Sequence, residues 1–212
     1  MPKIAFVGAG SLTFTRRLVI DMLSYEDLQA STISLIDIDA ERLGYAKAAV
    51  DRVVEVGQYP ATVVATRDRA AGIRDADIVV CTIMAHGLEP YRAEIDLPMK
   101  YGVDFNVGDS MGTPAVFRAL RTIPVMLDIC RDIERHAPHA YLLNYTNPMS
   151  MLCRAMQRAT SVRLVGLCHS VQGLAPMLAE WIGAPAEEIV WLCAGINHQA
   201  WLLRFEWNGQ DA

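Results

Sequence analysis

The sequence predicts an α/β fold, a Rossmann-like doubly wound parallel sheet, with the start of a second α+β domain at its C-terminal end. Three observations predict it. Short apolar runs alternate with helical patterns from residue 3 onward, as parallel strands joined by crossover helices require. The first run ends in Gly8-Ala9-Gly10-Ser11, a tight turn into a helix start. Near residue 188 the alternation gives way to two consecutive strand patterns, which suggests a second layer.

Composition sets the outer limits. The 212 residues are 52% hydrophobic and 20% charged, with a net charge of -5. That is globular composition with enough apolar material for a sizeable core. No basic run occurs, which argues against a nucleic-acid partner. No apolar run reaches the ~18 residues of a membrane span. Met-Pro-Lys-Ile-Ala-Phe-Val-Gly enters a strand pattern directly, without a charged-then-apolar leader. The five cysteines, Cys81, Cys130, Cys153, Cys168 and Cys193, are odd in number and scattered. Reduced thiols in a cytoplasmic protein are the expectation.

Lys3 to Val7 reads as the first strand and Leu12 to Leu23 as the first helix. Gly8 permits the turn, Gly10 lets a pyrophosphate approach the backbone, and the helix dipole favours its charge. The third glycine of such a fingerprint falls at Thr13, so the turn alone is weak evidence. The second strand, Thr32 to Ile36, ends in Asp37-Ile38-Asp39. Asp37 lies 24 residues (37 − 13) beyond the third-glycine position, close to the ~20 expected for the acid that bonds an adenosine ribose. An acid there repels a 2′-phosphate and favours NAD over NADP. The plainer reading of either aspartate is a cap on the helix from Ala40 to Val56, and Asp39 suits it.

A β-branched strand from Thr62 to Thr66 and a buried one from Asp77 to Ile83 follow. His86, just past the latter, is either a nicotinamide contact or a surface histidine. Tyr91 to Tyr101 reads as a helix, and residues 102–114 as a glycine-rich irregular segment that needs a reason to exist. Thr113 and Pro114 start a long helix with Val116, Leu120, Ile123, Leu127, Cys130 and Ile133 on one apolar face. Pro124 is expected to kink or break it. Arg118 and Arg121 are solvent-facing or anion-facing; spacing does not decide. His139 to Leu143 forms the fifth strand, delivering Asn144-Tyr-Thr-Asn147-Pro-Met149 at its carboxyl end. A helix from Met149 to Arg158 leads to the sixth strand, Arg163 to Leu167, which delivers Cys168-His169. A helix from Gln172 to Trp181 closes at Gly183, and strands Glu188 to Ala194 and Ala200 to Trp207 flank Gly195-Ile-Asn-His198.

These strand ends collect polar groups where open α/β sheets bind ligands. Cys168 and His198 can be two ligands of a catalytic metal, a buried cysteine with a hydrogen-bonded histidine, or a nucleophilic pair. Gly8, Gly10, Ser11, Asp37 and the strand-end Asn144 are the expected cofactor contacts.

Gly-Ala-Gly-Ser, Asp37-Ile-Asp39, Gly108-Asp-Ser-Met-Gly112, Arg118-Ala-Leu-Arg-Thr-Ile-Pro124, Asn144-Tyr-Thr-Asn-Pro-Met149, Gly166-Leu-Cys-His-Ser-Val171 and Gly195-Ile-Asn-His198 occur in this order. Together they resemble the NAD- and metal-dependent enzymes of glycoside hydrolase family four, within it the α-galactosidase branch. The resemblance implies hydrolysis of α-glycosides through internal redox chemistry. NAD takes a hydride from C3 of the sugar, which acidifies the C2 proton; elimination, water addition and hydride return follow. It implies Cys168 and His198 as ligands of a divalent metal, manganese in most of the family, although thiolate and imidazole would suit zinc, cobalt or nickel. It implies Asp109 as the acid that protonates the leaving group, and Asn147 and His169 as substrate-binding residues. This family departs from the two-carboxylate scheme. The implied organisation is an NAD-binding domain over residues 1–170 and the start of a substrate and metal domain over 171–212. Members are about twice as long, so the general base is expected beyond residue 212. A homo-oligomer acting on a small glycoside is expected, without nucleic acid or membrane. Two rivals are a lactate/malate-type dehydrogenase, whose His-Asp pair and clamping arginines cannot be placed, and a non-catalytic NAD-binding fragment.

Overall fold

The computed structural model describes residues 1–105 and 108–212. In chain order its elements are β1 (Lys3–Val7), α1 (Leu12–Leu23), β2 (Thr32–Ile36), α2 (Ala40–Gly57), β3 (Thr62–Thr66), α3 (Arg69–Ile73), β4 (Ile78–Cys81) and α4 (Leu88–Met99). Then come α5 (Gly112–His136), β5 (Tyr141–Asn144), α6 (Met149–Ala159), β6 (Arg163–Gly166), α7 (Ser170–Ile182), β7 (Ile189–Ile196), β8 (Gln199–Trp207) and β9 (Gln210–Asp211). The first six strands pair in parallel in the order β3-β2-β1-β4-β5-β6. The chain runs outward from β1 to β3, then returns to β4 and runs the other way. That reversal opens a crevice beyond the carboxyl ends of β1 and β4.

Helices cover both faces of the sheet at its central strands β1, β2 and β4, which are therefore apolar on both sides. Successive side chains of β1 alternate between two cores. Ala5 and Val7 join Val79, Leu142 and the α5 residues Met126, Ile129 and Ile133. Ile4 and Phe6 join Ile33, Leu35, Val19 and Leu23 of α1, and Leu43 and Val50 of α2. Burying each of these large side chains contributes about 1.5–3 kcal/mol.

Pro124 does not break its helix: α5 is continuous from Gly112 to His136. Pro124 is on the exposed side, and the carbonyl it leaves without a donor belongs to Leu120, itself 65% exposed. Water can serve that carbonyl. The apolar face expected for α5 also shifts. Val116 and Leu120 are exposed, and the buried stripe is Ala115, Arg118, Ala119, Thr122, Met126, Ile129, Cys130 and Ile133. Two polar residues on that stripe misled the periodicity. The short helix α3 was not foreseen; Asp68 caps it by accepting from Ala71 N at 3.1 Å.

The C-terminal elements form a second, antiparallel sheet, β7-β8-β9. β7 and β8 pair from Ile189↔Trp207 to Ile196↔Gln199, which leaves Asn197 and His198 as the two-residue turn. His198 has φ +63°, a left-handed conformation uncommon outside glycine. Among the described residues no helix is long and apolar enough to cross a membrane.

Candidate functional site

The site is built from three neighbouring parts. The first is the glycine turn. Gly8 N and Ala9 N both donate to Ile36 O, at 2.9 and 3.0 Å, tying the turn to β2. Gly8 has φ +87°, and a Cβ there would lie 2.9 Å from Ile83, so only glycine fits. Gly10 N donates to Asp37 Oδ2 at 2.7 Å, and a Cβ on Gly10 would meet that same oxygen at 2.7 Å. Asp37 Oδ1 accepts from Asp39 N at 3.0 Å. Each carboxylate oxygen retains a further lone pair, so Asp37 can accept from a diol while it fixes the turn. Asp39 caps α2, accepting from Glu41 N and Arg42 N at 2.9 and 3.1 Å. The first turn of α1 carries no acidic residue, so nothing there opposes an anion.

The second part is a cleft of about 390 Å³ beyond β1, β4 and β5. Ser11, Asp109 and Asn147 line it, with Phe14, Arg118 and Tyr145 among its other walls. Phe14 and Tyr145 pack edge to face with centroids 5.7 Å apart. Burial, then the nearby charge of Asp21, pushes the Tyr145 hydroxyl up from its ordinary value, so this wall is neutral. Arg118 is neither solvent-facing nor free. It is 8% exposed, pairs with Glu94 at 3.1 Å and with Asp109, and its guanidinium stands 4.2 Å over the Tyr91 ring. Glu94, 3% exposed, also pairs with Arg121. Arg118 Nη2 is buried without an acceptor among the described residues.

Asn144 is a correction. The expectation made it a cofactor contact, but it is 0% exposed and paired with Cys81 inside the sheet. Its amide donates to Thr146 O at 3.0 Å and accepts from Thr146 N at 3.1 Å. With no exposed surface, this side chain is out of a ligand's reach. Thr146 in turn accepts from Ile83 N at 3.1 Å, joining the ends of β4 and β5. Asn147, next along, is half-buried and accepts from Met149 N at 3.3 Å through Oδ1. His86 is exposed.

The third part brings together residues far apart in sequence. Cys168 Sγ lies 3.5 Å from His198 Nε2. Tetrahedral bonds of about 2.3 Å to sulfur and 2.1 Å to nitrogen would set the two donors about 3.6 Å apart, so the pair fits a shared cation. His198 Nδ1 is 3.0 Å from Ser110 Oγ, and Cys168 Sγ is 2.9 Å from Ser170 Oγ. Among the described residues no three His, Cys, Asp or Glu side chains converge on one point, so a cation here would keep positions open, as catalytic sites do. His169, at the start of α7, is exposed. Sequence reasoning missed Glu94, Ser110 and Thr146. Ser110 sits inside the Gly108–Gly112 motif and could have been singled out there; Glu94 left no local signal.

The description "Family 4 glycosyl hydrolase" belongs to a family model that matches residues 3–184. The chain is similar to the alpha-galactosidase of Rhizobium meliloti (strain 1021), 41% identical over 209 residues, covering 98% of this chain and 43% of that protein. It is 37% identical over 212 residues to the alpha-galactosidase of Bacillus subtilis (strain 168), covering 100% and 49%. Its fold matches a 6-phospho-alpha-glucosidase from gut microorganisms solved in complex with NAD and Mn2+, with TM-score 0.86 at 20% identity, covering 99% of this chain and 48% of that one. The chain spans about half the length of the curated relatives it matches.

Proposed function

The chain belongs to the family 4 glycosyl hydrolases, and from that premise we propose that it forms the cofactor- and metal-binding part of an α-glycosidase, with an α-galactoside as substrate. The observation that carries this reading is the Cys168–His198 pair, 3.5 Å apart and joined through Ser110 to the turn that holds Asp109. The names of the two relatives described above support the sugar. Bound NAD supplies a reversible hydride acceptor, and a divalent metal, manganese in this reading, supplies Lewis acidity toward sugar oxygens.

The protein's own residues bind, orient and carry protons. The Gly8–Ser11 turn and the α1 N-terminus hold a pyrophosphate, and Asp37 accepts from the ribose diol. Cys168 and His198 hold the metal. Asn147 offers its amide to a sugar hydroxyl, and His169 orients the substrate from the start of α7. Arg118 orients Asp109 through Oδ1, and when the carboxyl group is protonated it is the Oδ2 proton that passes to the glycosidic oxygen. Phe14 and Tyr145 keep water from the cleft wall. Residues 1–170 serve as the cofactor domain and 171–212 as the start of the substrate domain, a division supported by the packing of α7 on β7. The full enzyme is a cytoplasmic homo-oligomer with a small glycoside as its partner.

The test is hydrolysis of an aryl α-galactoside by the full enzyme that contains this chain, with NAD, divalent metal and reductant added singly and together. Cleavage that needs both NAD and metal, with solvent deuterium entering C2, is the expected result. Cleavage without NAD sinks the reading; net NADH formation favours a dehydrogenase. Cys168→Ala should abolish metal binding while NAD binding, followed by calorimetry, stays within about twofold, since Cys168 and the glycine turn share no contact that would couple them.

A further inference from the structure

We propose that Ser110 is a positioning residue for the Cys168–His198 pair: its hydroxyl accepts a hydrogen bond from Nδ1–H of His198 and so presents the Nε2 lone pair to a divalent cation beside Cys168. This rests on the cation reading of that pair. An imidazole that ligates through Nε2 carries its proton on Nδ1, and an acceptor there fixes both tautomer and ring orientation. Ser110 Oγ is 3.0 Å from Nδ1, across 88 positions of sequence. The serine is only 8% exposed, whereas His198 is exposed at the tip of the β7–β8 turn. Packing therefore fixes the serine and leaves the imidazole to be fixed by it.

Two further features point the same way. The backbone of His198 stands at φ +63°, a strained conformation that persists where surrounding structure over-determines it. The Ser110 bond is one such constraint. Cys168 has a matching hydroxyl, Ser170 Oγ at 2.9 Å, with Ser170 N donating to Sγ at 3.4 Å. Ser170 is only two positions away and comes with the strand end that carries Cys168. Ser110 instead joins two distant elements. Its neighbour Asp109 is pinned by Arg118 of α5, so one dipeptide ties the proposed acid to the histidine of the β7–β8 ribbon. Ser110 thereby sets the acid and the cation site in register.

The experiment titrates Co2+ alone into the metal-free 212-residue chain and follows the thiolate-to-cobalt charge-transfer absorption. The wild type is expected to show the band, and Cys168→Ala to lose it. Ser110→Ala should weaken Co2+ binding by about 10- to 100-fold with an unchanged far-ultraviolet dichroism spectrum. Ser110→Thr, which keeps the hydroxyl, should restore affinity, while Ser110→Val, of the same shape without it, should not. Equal affinity in the Thr and Val variants overturns the role of Ser110 even if the alanine variant fails to fold. Absence of the band in the wild type overturns the cation reading itself, and this inference with it.

Discussion

In β1 and β2 four of five residues are buried, whereas no residue of β7 or β8 is. The parallel sheet holds Phe6, Ile33 and Leu142 at 0% exposure; the ribbon presents Trp201 at 70% and Leu203 at 64%. Both regions supply parts of the site. The glycine turn is placed by a close-packed core that leaves Gly8 and Gly10 no room for a Cβ. His198 is placed by a strained two-residue turn and hydrogen bonds to Ser110 and Cys168. One half of the site is fixed by packing and the other by polar contacts, so the two should fail under different perturbations.

The largest effect should come from the sheet. Phe6→Ala is expected to cost about 3–5 kcal/mol, read from urea unfolding, while Trp201→Ser should stay within about 0.5 kcal/mol. A comparable loss at Trp201 would show that the ribbon carries core energy after all. A smaller effect follows from Cys81. Burial pushes its thiol up to about 11, with hydrogen bonds from Thr146 and Ile83 only partly opposing. The folded chain keeps this thiol protonated where the unfolded chain, near 9.0, would ionise it. Its contribution is therefore complete below pH 9 and fades as pH rises toward about 11. Urea midpoints measured from pH 8 to 11 should fall, and Cys81→Ala should flatten the fall; an unchanged slope in the variant would remove Cys81 as its cause. The smallest effect should be Asp39→Ala, which removes the α2 cap and costs about 1 kcal/mol. Asp39→Asn should nearly restore stability, since the amide oxygen can accept the same two bonds; if it does not, the cap is not what Asp39 contributes.

Much of the fold was legible in the sequence. β1, α1, β2 and β3 fall where alternation and turn residues put them, because period and punctuation are local properties. The long helix α5 shows where this stops. Its buried stripe includes Arg118 and Thr122, which hydrophobic periodicity assigns to solvent, and the burial of Arg118 depends on Glu94 arriving from α4. Asn144 shows the reverse: a polar residue at a strand end looked like a ligand contact, yet it closes its own turn.

What the sequence by itself determined was the order of strands and helices, the glycine turn with its following acid, and the family, since these reside in short stretches and their spacing. Only the tertiary structure decided which polar groups meet. Ser110 reaches His198, and Asp109 is held by an arginine whose other partner is a buried glutamate. Contacts between distant elements depend on how those elements pack, and packing is a property of the whole chain rather than of any stretch within it.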